Sequence, residues 1–240
     1  MKIANGLAML ELEIQGFRLN PTLLWDDEEA ILVDTGMPGQ SEQIREAMNR
    51  LNVPFDKLKT VLLTHQDIDH VGSLPEVIQK VGQSIEVYAH ELDKPYIEGE
   101  FSLLKGDPNK MNEQQWVALP EPLKAIYLNP PKAKVNHILR HGQILPFLDG
   151  IEVIHTPGHT PGHVSLYIGK YKTLIAGDAL VCVEGNLKGP VPRTTPDMET
   201  AMKSLEKLLA FDIDRVICYH GAICDVNVKE QLKRLVREED

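Results

Sequence analysis

The segment Thr64-His65-Gln66-Asp67-Ile68-Asp69-His70 sets two imidazoles and two carboxylates within six residues. It follows Thr60-Val61-Leu62-Leu63, whose continuous apolar character reads as a strand buried on both faces. In an extended loop, side chains two apart point the same way, so His65, Asp67 and Asp69 converge. A bend before the next helix turns His70 inward as well. Charge-capable groups gathered so closely repel or strand one another unless a cation joins them. A metal is therefore the economical reading, and a solvated acidic loop is the competing one.

Further ligand-type residues stand at the ends of other apolar runs. The strand at 151–154 leads into Thr156-Pro157-Gly158-His159-Thr160-Pro161-Gly162-His163, the strand at 173–176 into Gly177-Asp178, and the strand at 215–219 into His220-Gly221. Strand ends joined by loops are where α/β folds gather their sites. Glycine beside each candidate permits close backbone approach. His163, four residues past His159, reads as a supporting or packing residue rather than a ligand. His155, which ends a strand, reads as structural; His90, His137 and His141 have no partner spacing, and His137 and His141 suit an exposed helix face or the lid.

The elements that must position these groups are legible in the pattern. Ala8, Leu10, Leu12 and Ile14 alternate with Met9, Glu11, Glu13 and Gln15, which predicts one half-buried strand. Residues 22–25 and 30–33 form two short strands across Asp26-Asp27. Ser41 is placed to cap a helix in which Ile44, Ala47, Met48 and Leu51 recur at helical spacing. A helix is predicted at 72–81, a strand at 85–89, and a hairpin joining 165–168 to 173–176 through Gly169-Lys170. A long helix begins at Thr195-Pro196, with proline at its first position. A last helix carries Val228, Leu232, Leu235 and Val236. This order implies mixed sheets with helices packed outside. Residues 93–146, rich in proline and carrying Tyr96, Phe101, Leu103, Leu104, Trp116 and Tyr127, break the rhythm. They are expected to form a partly helical, lid-like insertion in a single domain spanning 1–240.

Composition narrows the function classes. With 25 Lys and Arg against 35 Asp and Glu, the 240-residue chain carries a formal charge of −10. An acidic balance disfavours nucleic acid, which is bound through Lys and Arg. Three cysteines, Cys182, Cys218 and Cys224, lack the spacing of a disulfide framework, which favours a reducing cytoplasm. No apolar run is long enough to span a membrane, and the first residues lack the apolar core of a signal peptide. A cytoplasmic protein acting on a small molecule is expected.

The ordered set Asp34-Thr35-Gly36, THQDIDH, TPGHTPGH, AGD and YHG resembles the metallo-β-lactamase superfamily of metal-dependent hydrolases, over nearly the whole chain. The resemblance implies a four-layer αββα sandwich of two mixed β-sheets with metals at one edge. It implies two divalent ions: one on His65, Asp67 and His159, a second on Asp69, His70 and His220, with Asp178 bridging and Asp34 supporting from behind. Asp67 departs from the family's H-x-H-x-D-H pattern, in which a second histidine stands there. With two divalent ions and a bridging hydroxide, the carboxylates Asp67, Asp69 and Asp178 bring the site to neutrality; a histidine at 67 would leave one positive charge. The less positive site makes bound water less acidic and the ligand set harder. Zinc is the first choice, with manganese or iron compatible.

The chemistry implied is hydrolysis of a small ester, lactone or thioester by hydroxide held between the ions, with Asp69 orienting it and passing its proton to the leaving group. A phosphodiesterase and an iron-dependent oxidoreductase on the same fold are the alternatives, and a non-enzymatic metal-binding protein ranks below them. Arg193, Lys188 and Cys182, after Asp178, and Trp116 and Phe101, in the insertion, could border a substrate; exposure or core packing is the plainer reading of each.

Overall fold

The computed structural model describes residues 1–82 and 84–237. Its apolar strands form two principal sheets. The first has seven strands in the order Lys2–Ala4, Leu7–Met9, Thr22–Trp25, Ala30–Val33, Leu58–Leu62, Glu86–His90 and His137–Leu139. Pairing is antiparallel up to Ala30–Val33 and parallel from there on. The second sheet has six strands: Ile144–Leu145, Ile151–His155, Val164–Ile168, Thr173–Ile175, Arg215–Ile217 and Ile223–Cys224. Thr173–Ile175 and Arg215–Ile217 run parallel, and the other neighbours antiparallel.

Alternate residues of the strands explain why the sheets stack. Leu7, Met9, Leu24, Ile31, Val33 and Leu62 of the first sheet meet Ile151, Val153, Val164, Leu166, Ile168 and Ile175 of the second in one buried cluster. Each such side chain contributes about 2 kcal/mol by leaving water. On the outer face of the first sheet, helices Ser41–Arg50 and Leu74–Val81 bury Ile44, Met48, Leu74 and Val77. On the outer face of the second, Met198–Leu205 and Val228–Arg237 bury Leu205, Leu232 and Leu235. The result is the four-layer αββα sandwich expected from the motifs.

Local expectations fail where contacts made elsewhere win. The alternation at 8–15 is not one strand. Leu7–Met9 joins the first sheet with every residue buried, while Leu12–Ile14 pairs with Phe17–Leu19 in a separate hairpin. Ser41 is inside its helix rather than capping it. Gln40 holds the cap position, and the Ser41 hydroxyl donates to Glu76 Oε2 at 2.7 Å. The later helix starts at Met198 rather than at Pro196, because Asp197 accepts from Thr200 N at 3.0 Å and caps it.

The segment 93–146 is less of an insertion than its prolines suggest. It holds short helices at Lys94–Ile97, Glu113–Ala118 and Glu121–Leu128, but His137–Leu139 and Ile144–Leu145 are sheet strands. His137 is thus a strand residue facing Glu86, not part of a lid or helix face.

Candidate metal centre

The parallel strands Ala30–Val33, Leu58–Leu62 and Glu86–His90 end at the same edge, and their last residues run into Asp34, the loop 64–70 and Asp93. The parallel pair in the second sheet likewise delivers Asp178 and His220. A backbone bond from Val164 N to Thr64 O, 2.9 Å, ties the two sheets together beside the site.

Two clusters form there. Ligand-type atoms of His65, Asp67, His159 and Asp178 all lie within 4.8 Å of one another, as do those of Asp69, His70 and His220. Asp178 stands between the clusters. Its Oδ2 is 3.2 Å from His159 Nε2 and 3.5 Å from His220 Nε2, and its Oδ1 is 3.3 Å from His70 Nε2. Asp69 Oδ2 is 3.2 Å from His220 Nε2. The fold therefore brings all seven predicted ligand-type residues to one place.

Other side chains fix the imidazoles. Asp34 accepts from Thr64 N at 2.8 Å and from the Thr64 hydroxyl at 2.7 Å, and its Oδ2 lies 2.9 Å from His70 Nδ1. That leaves His70 Nε2 pointing into the site. Thr64 Oγ1 lies 3.0 Å from His65 Nδ1, and Thr195 Oγ1 lies 3.2 Å from His159 Nδ1. His163 stands behind Asp178: its Nε2 accepts from Asp178 N at 2.9 Å, so Nδ1 carries the proton and donates to Thr156 Oγ1 at 2.8 Å. Gly177, at φ 56°, is required here, because a Cβ would lie 2.7 Å from His163 Nε2.

Electrostatics sharpen the picture. Burial opposes ionisation of Asp178, but His70 and His220 hold its carboxyl well below the usual range. Burial likewise opposes the charged form of Asp67, which His65 and His159 override. Burial disfavours the His220 imidazolium, yet Asp178 and Asp69 hold the ring up to about 10. Burial and the charge of His70 push His65 down to about 4, and burial with His65 pushes His163 well below its ordinary value.

Four of the seven buried side-chain atoms without a hydrogen-bond partner, among the described residues, are His65 Nε2, Asp67 Oδ1, His70 Nε2 and Asp178 Oδ1. All four belong to these clusters. Two of them sit within ion-pair reach of one another, His70 Nε2 and Asp178 Oδ1 at 3.3 Å, but without the alignment of a hydrogen bond. Buried polar atoms left unpaired are costly, and divalent cations bound by imidazole and carboxylate would satisfy them. The donor set fits such ions.

Two participants carry no local spacing signal. Asp93, fully buried, accepts from Gln66 N at 3.0 Å, from Gly162 N at 2.9 Å and from the Thr160 hydroxyl at 2.8 Å. It clamps the loop carrying His65 and Asp67 to the loop carrying His159. Burial pushes its carboxyl up to about 6, against the pull of those donors. Lys105 reaches in from the proline-rich segment; its ammonium touches Asp67 Oδ2 and lies 2.6 Å from His159 Nε2. Only the position of Asp93, just past a strand at the site edge, could have drawn attention to it.

A cavity of about 620 Å³ opens onto Asp67 and Asp69, bordered by Leu103, Lys105, Tyr127 and Arg193. A second, of about 630 Å³, shares Asp69, Tyr127 and Arg193 and reaches His220, Leu123 and Ile126. Of the residues singled out in the sequence as possible substrate neighbours, only Arg193 borders them. Phe101 is exposed against Tyr96, and Cys182 is buried among apolar neighbours.

Residues 16–220 match the family model of the metallo-beta-lactamase superfamily. The chain belongs to that superfamily of metal-dependent hydrolases and is an enzyme of that class. It is 34% identical over 203 residues to the probable metallo-hydrolase YflN of Bacillus subtilis (strain 168), covering 80% of this chain and 75% of the relative. It is 29% identical over 229 residues to the hydroxyacylglutathione hydrolase GloC of Haemophilus influenzae, covering 92% and 93%. Its fold superposes on a metallo-beta-lactamase family protein from Thermus thermophilus with a TM-score of 0.75, at 22% identity, covering 98% of this chain and 80% of that one. No helix among the described residues is long and apolar enough to cross a membrane.

Proposed function

We infer that the protein is a dinuclear hydrolase of small esters, lactones or thioesters. His65, Asp67 and His159 would hold one divalent ion, Asp69, His70 and His220 a second, and Asp178 both; zinc suits this donor set first, and manganese or iron also fit. Bound ions supply water acidic enough to ionise near neutral pH and polarise the oxygen that gains charge. The observation that carries the reading is the convergence of unpartnered buried Nε2 and carboxylate atoms on either side of Asp178.

The chain's own residues do the rest. Asp34 and Thr64 hold His70 and His65 with their Nε2 atoms inward. His163 fixes the backbone of Asp178 and stays neutral. Asp69 borders both cavities, which supports a role in orienting water, accepting its proton and returning it to the leaving oxygen or sulfur. The carbonyl carbon gains the water oxygen as its bond to the leaving group breaks. The name of the Haemophilus relative, a hydroxyacylglutathione hydrolase, supports an acyl substrate. Leu103, Lys105 and Tyr127 border the cavity over the site, which supports reading the segment that carries them as a lid.

The test is a screen of lactones, thioesters, simple esters and phosphodiesters on the zinc-loaded chain and on the chain after chelation. Metal-dependent turnover of an acyl substrate is expected. Turnover confined to phosphodiesters, or turnover that survives chelation, contradicts the reading.

A further inference from the structure

The cavity over the clusters has an uneven chemistry. Leu103, Leu119, Tyr127 and Pro192 give it apolar walls, and Lys105 and Arg193 give it two cations. The carboxylates that border it, Asp67 and Asp69, both belong to the metal-type clusters. Arg193 makes no ion pair among the described residues. Lys105 leans on Asp67 and His159 with its side chain 22% exposed.

Those two partners are the groups a divalent ion would claim. Once His159 Nε2 gives its lone pair to a metal, the Lys105 ammonium loses that acceptor and shares the Asp67 carboxylate with a divalent cation, beside the apolar walls of the cavity. A half-buried ammonium that shares its one carboxylate with a divalent cation is under-neutralised and repelled by that cation, and an incoming anion restores the balance. Arg193 adds a second, planar donor on the same cavity, suited to a carboxylate.

We propose that Lys105 is the specificity-determining residue of this site, and that the substrate is an ester or thioester carrying a carboxylate, which Lys105 receives with help from Arg193. The inference rests on the hydrolase reading above and narrows it to anionic acyl compounds. A cavity of about 620 Å³ accommodates a short acyl chain with its carboxylate. The acidic chain as a whole gives no hint of this, because the two cations are local.

The probe is a matched pair, the mono-p-nitrophenyl ester of adipic acid and its terminal amide, with the full zinc-loaded chain. The wild type is expected to favour the acid by about 10- to 100-fold in kcat/KM, chiefly through KM, the scale of a hydrogen bond to a charged group. Lys105→Met abolishes that preference and Lys105→Arg keeps most of it. Calorimetry with adipate itself, which is not turned over, reads a Kd that weakens by a similar factor in Lys105→Met and recovers in Lys105→Arg. Equal use of acid and amide by the wild type overturns the proposal. So does a preference that survives Lys105→Met, or a Lys105→Met chain that has lost its zinc, since the lysine would then serve the metals rather than the substrate. If adipate binding depends on Lys105 but neither ester is hydrolysed, the hydrolase reading fails and the anion site stands; hydrolysis with no preference for the acid gives the reverse.

Discussion

Replacing Asp93 by alanine is expected to loosen both loops that carry the first cluster, although Asp93 is itself no ligand. The carboxylate accepts three hydrogen bonds in a fully buried setting, from Gln66 N, Gly162 N and the Thr160 hydroxyl. Hydrogen bonds to a charged acceptor are each worth about 1.5–3 kcal/mol, and orphaning buried donors adds to the loss. Against this stands the cost of keeping the carboxylate ionised. Its pKa of about 6, against an ordinary 3.8, corresponds to about 3 kcal/mol at neutral pH. Asp93→Ala should therefore cost a net of about 3 kcal/mol, or roughly 6–12 °C in Tm for a chain of this size.

The sign of the pH dependence follows from the same shift. A carboxyl raised on folding contributes stability that is complete below the unfolded value of 3.8 and is lost as pH rises through about 6. The variant should be worse relative to wild type at pH 5 than at pH 8, by about 1 kcal/mol. The assay is a pair of denaturant titrations of each metal-free chain at those two pH values, with zinc affinity by chelator competition alongside. Affinity should drop about 10-fold, as for other groups that orient ligands from behind. An unchanged Tm together with unchanged zinc affinity would refute the view that Asp93 holds the two loops in register.

His163→Ala removes the acceptor for Asp178 N, a buried donor, and should cost about 1–3 kcal/mol and weaken zinc binding roughly 10-fold or more; zinc affinity equal to wild type would show that Asp178 needs no such support. Chelation followed by return of zinc at about 100 times Kd should restore about 2.7 kcal/mol for each ion bound, seen as a rise of about 5–11 °C in Tm per ion. A melting curve indifferent to zinc would contradict a site built to hold it.

The site was legible because its residues are named by their neighbours in the chain. Each of His65, Asp67, Asp69, His70, His159, Asp178 and His220 follows an apolar run that stops at a polar cluster, and the fold needs only to bring those strand ends to one edge. The layering was legible for the same reason, since Ile31, Leu62, Val153 and Leu166 sit in runs that read as buried strands. Residues 7–15 misled because pairing with Thr22–Trp25 buries Ala8 and Met9 alike, where alternation alone assigns them to opposite faces. Ser41 misled because a hydroxyl suited to capping is taken by Glu76, 35 residues away. Asp93 and Lys105 were illegible as site residues. Their partners are reached across 27 and 38 residues or more, with no spacing to announce them.

The most direct measurement is metal content per chain, by elemental analysis after zinc loading and removal of free ion, in the wild type and in Asp178→Asn. Two ions per wild-type chain are expected, and fewer in the variant, because Asp178 stands between the two clusters. A folded wild-type chain that retains no zinc, or an Asp178→Asn chain that holds as much as wild type, would contradict it.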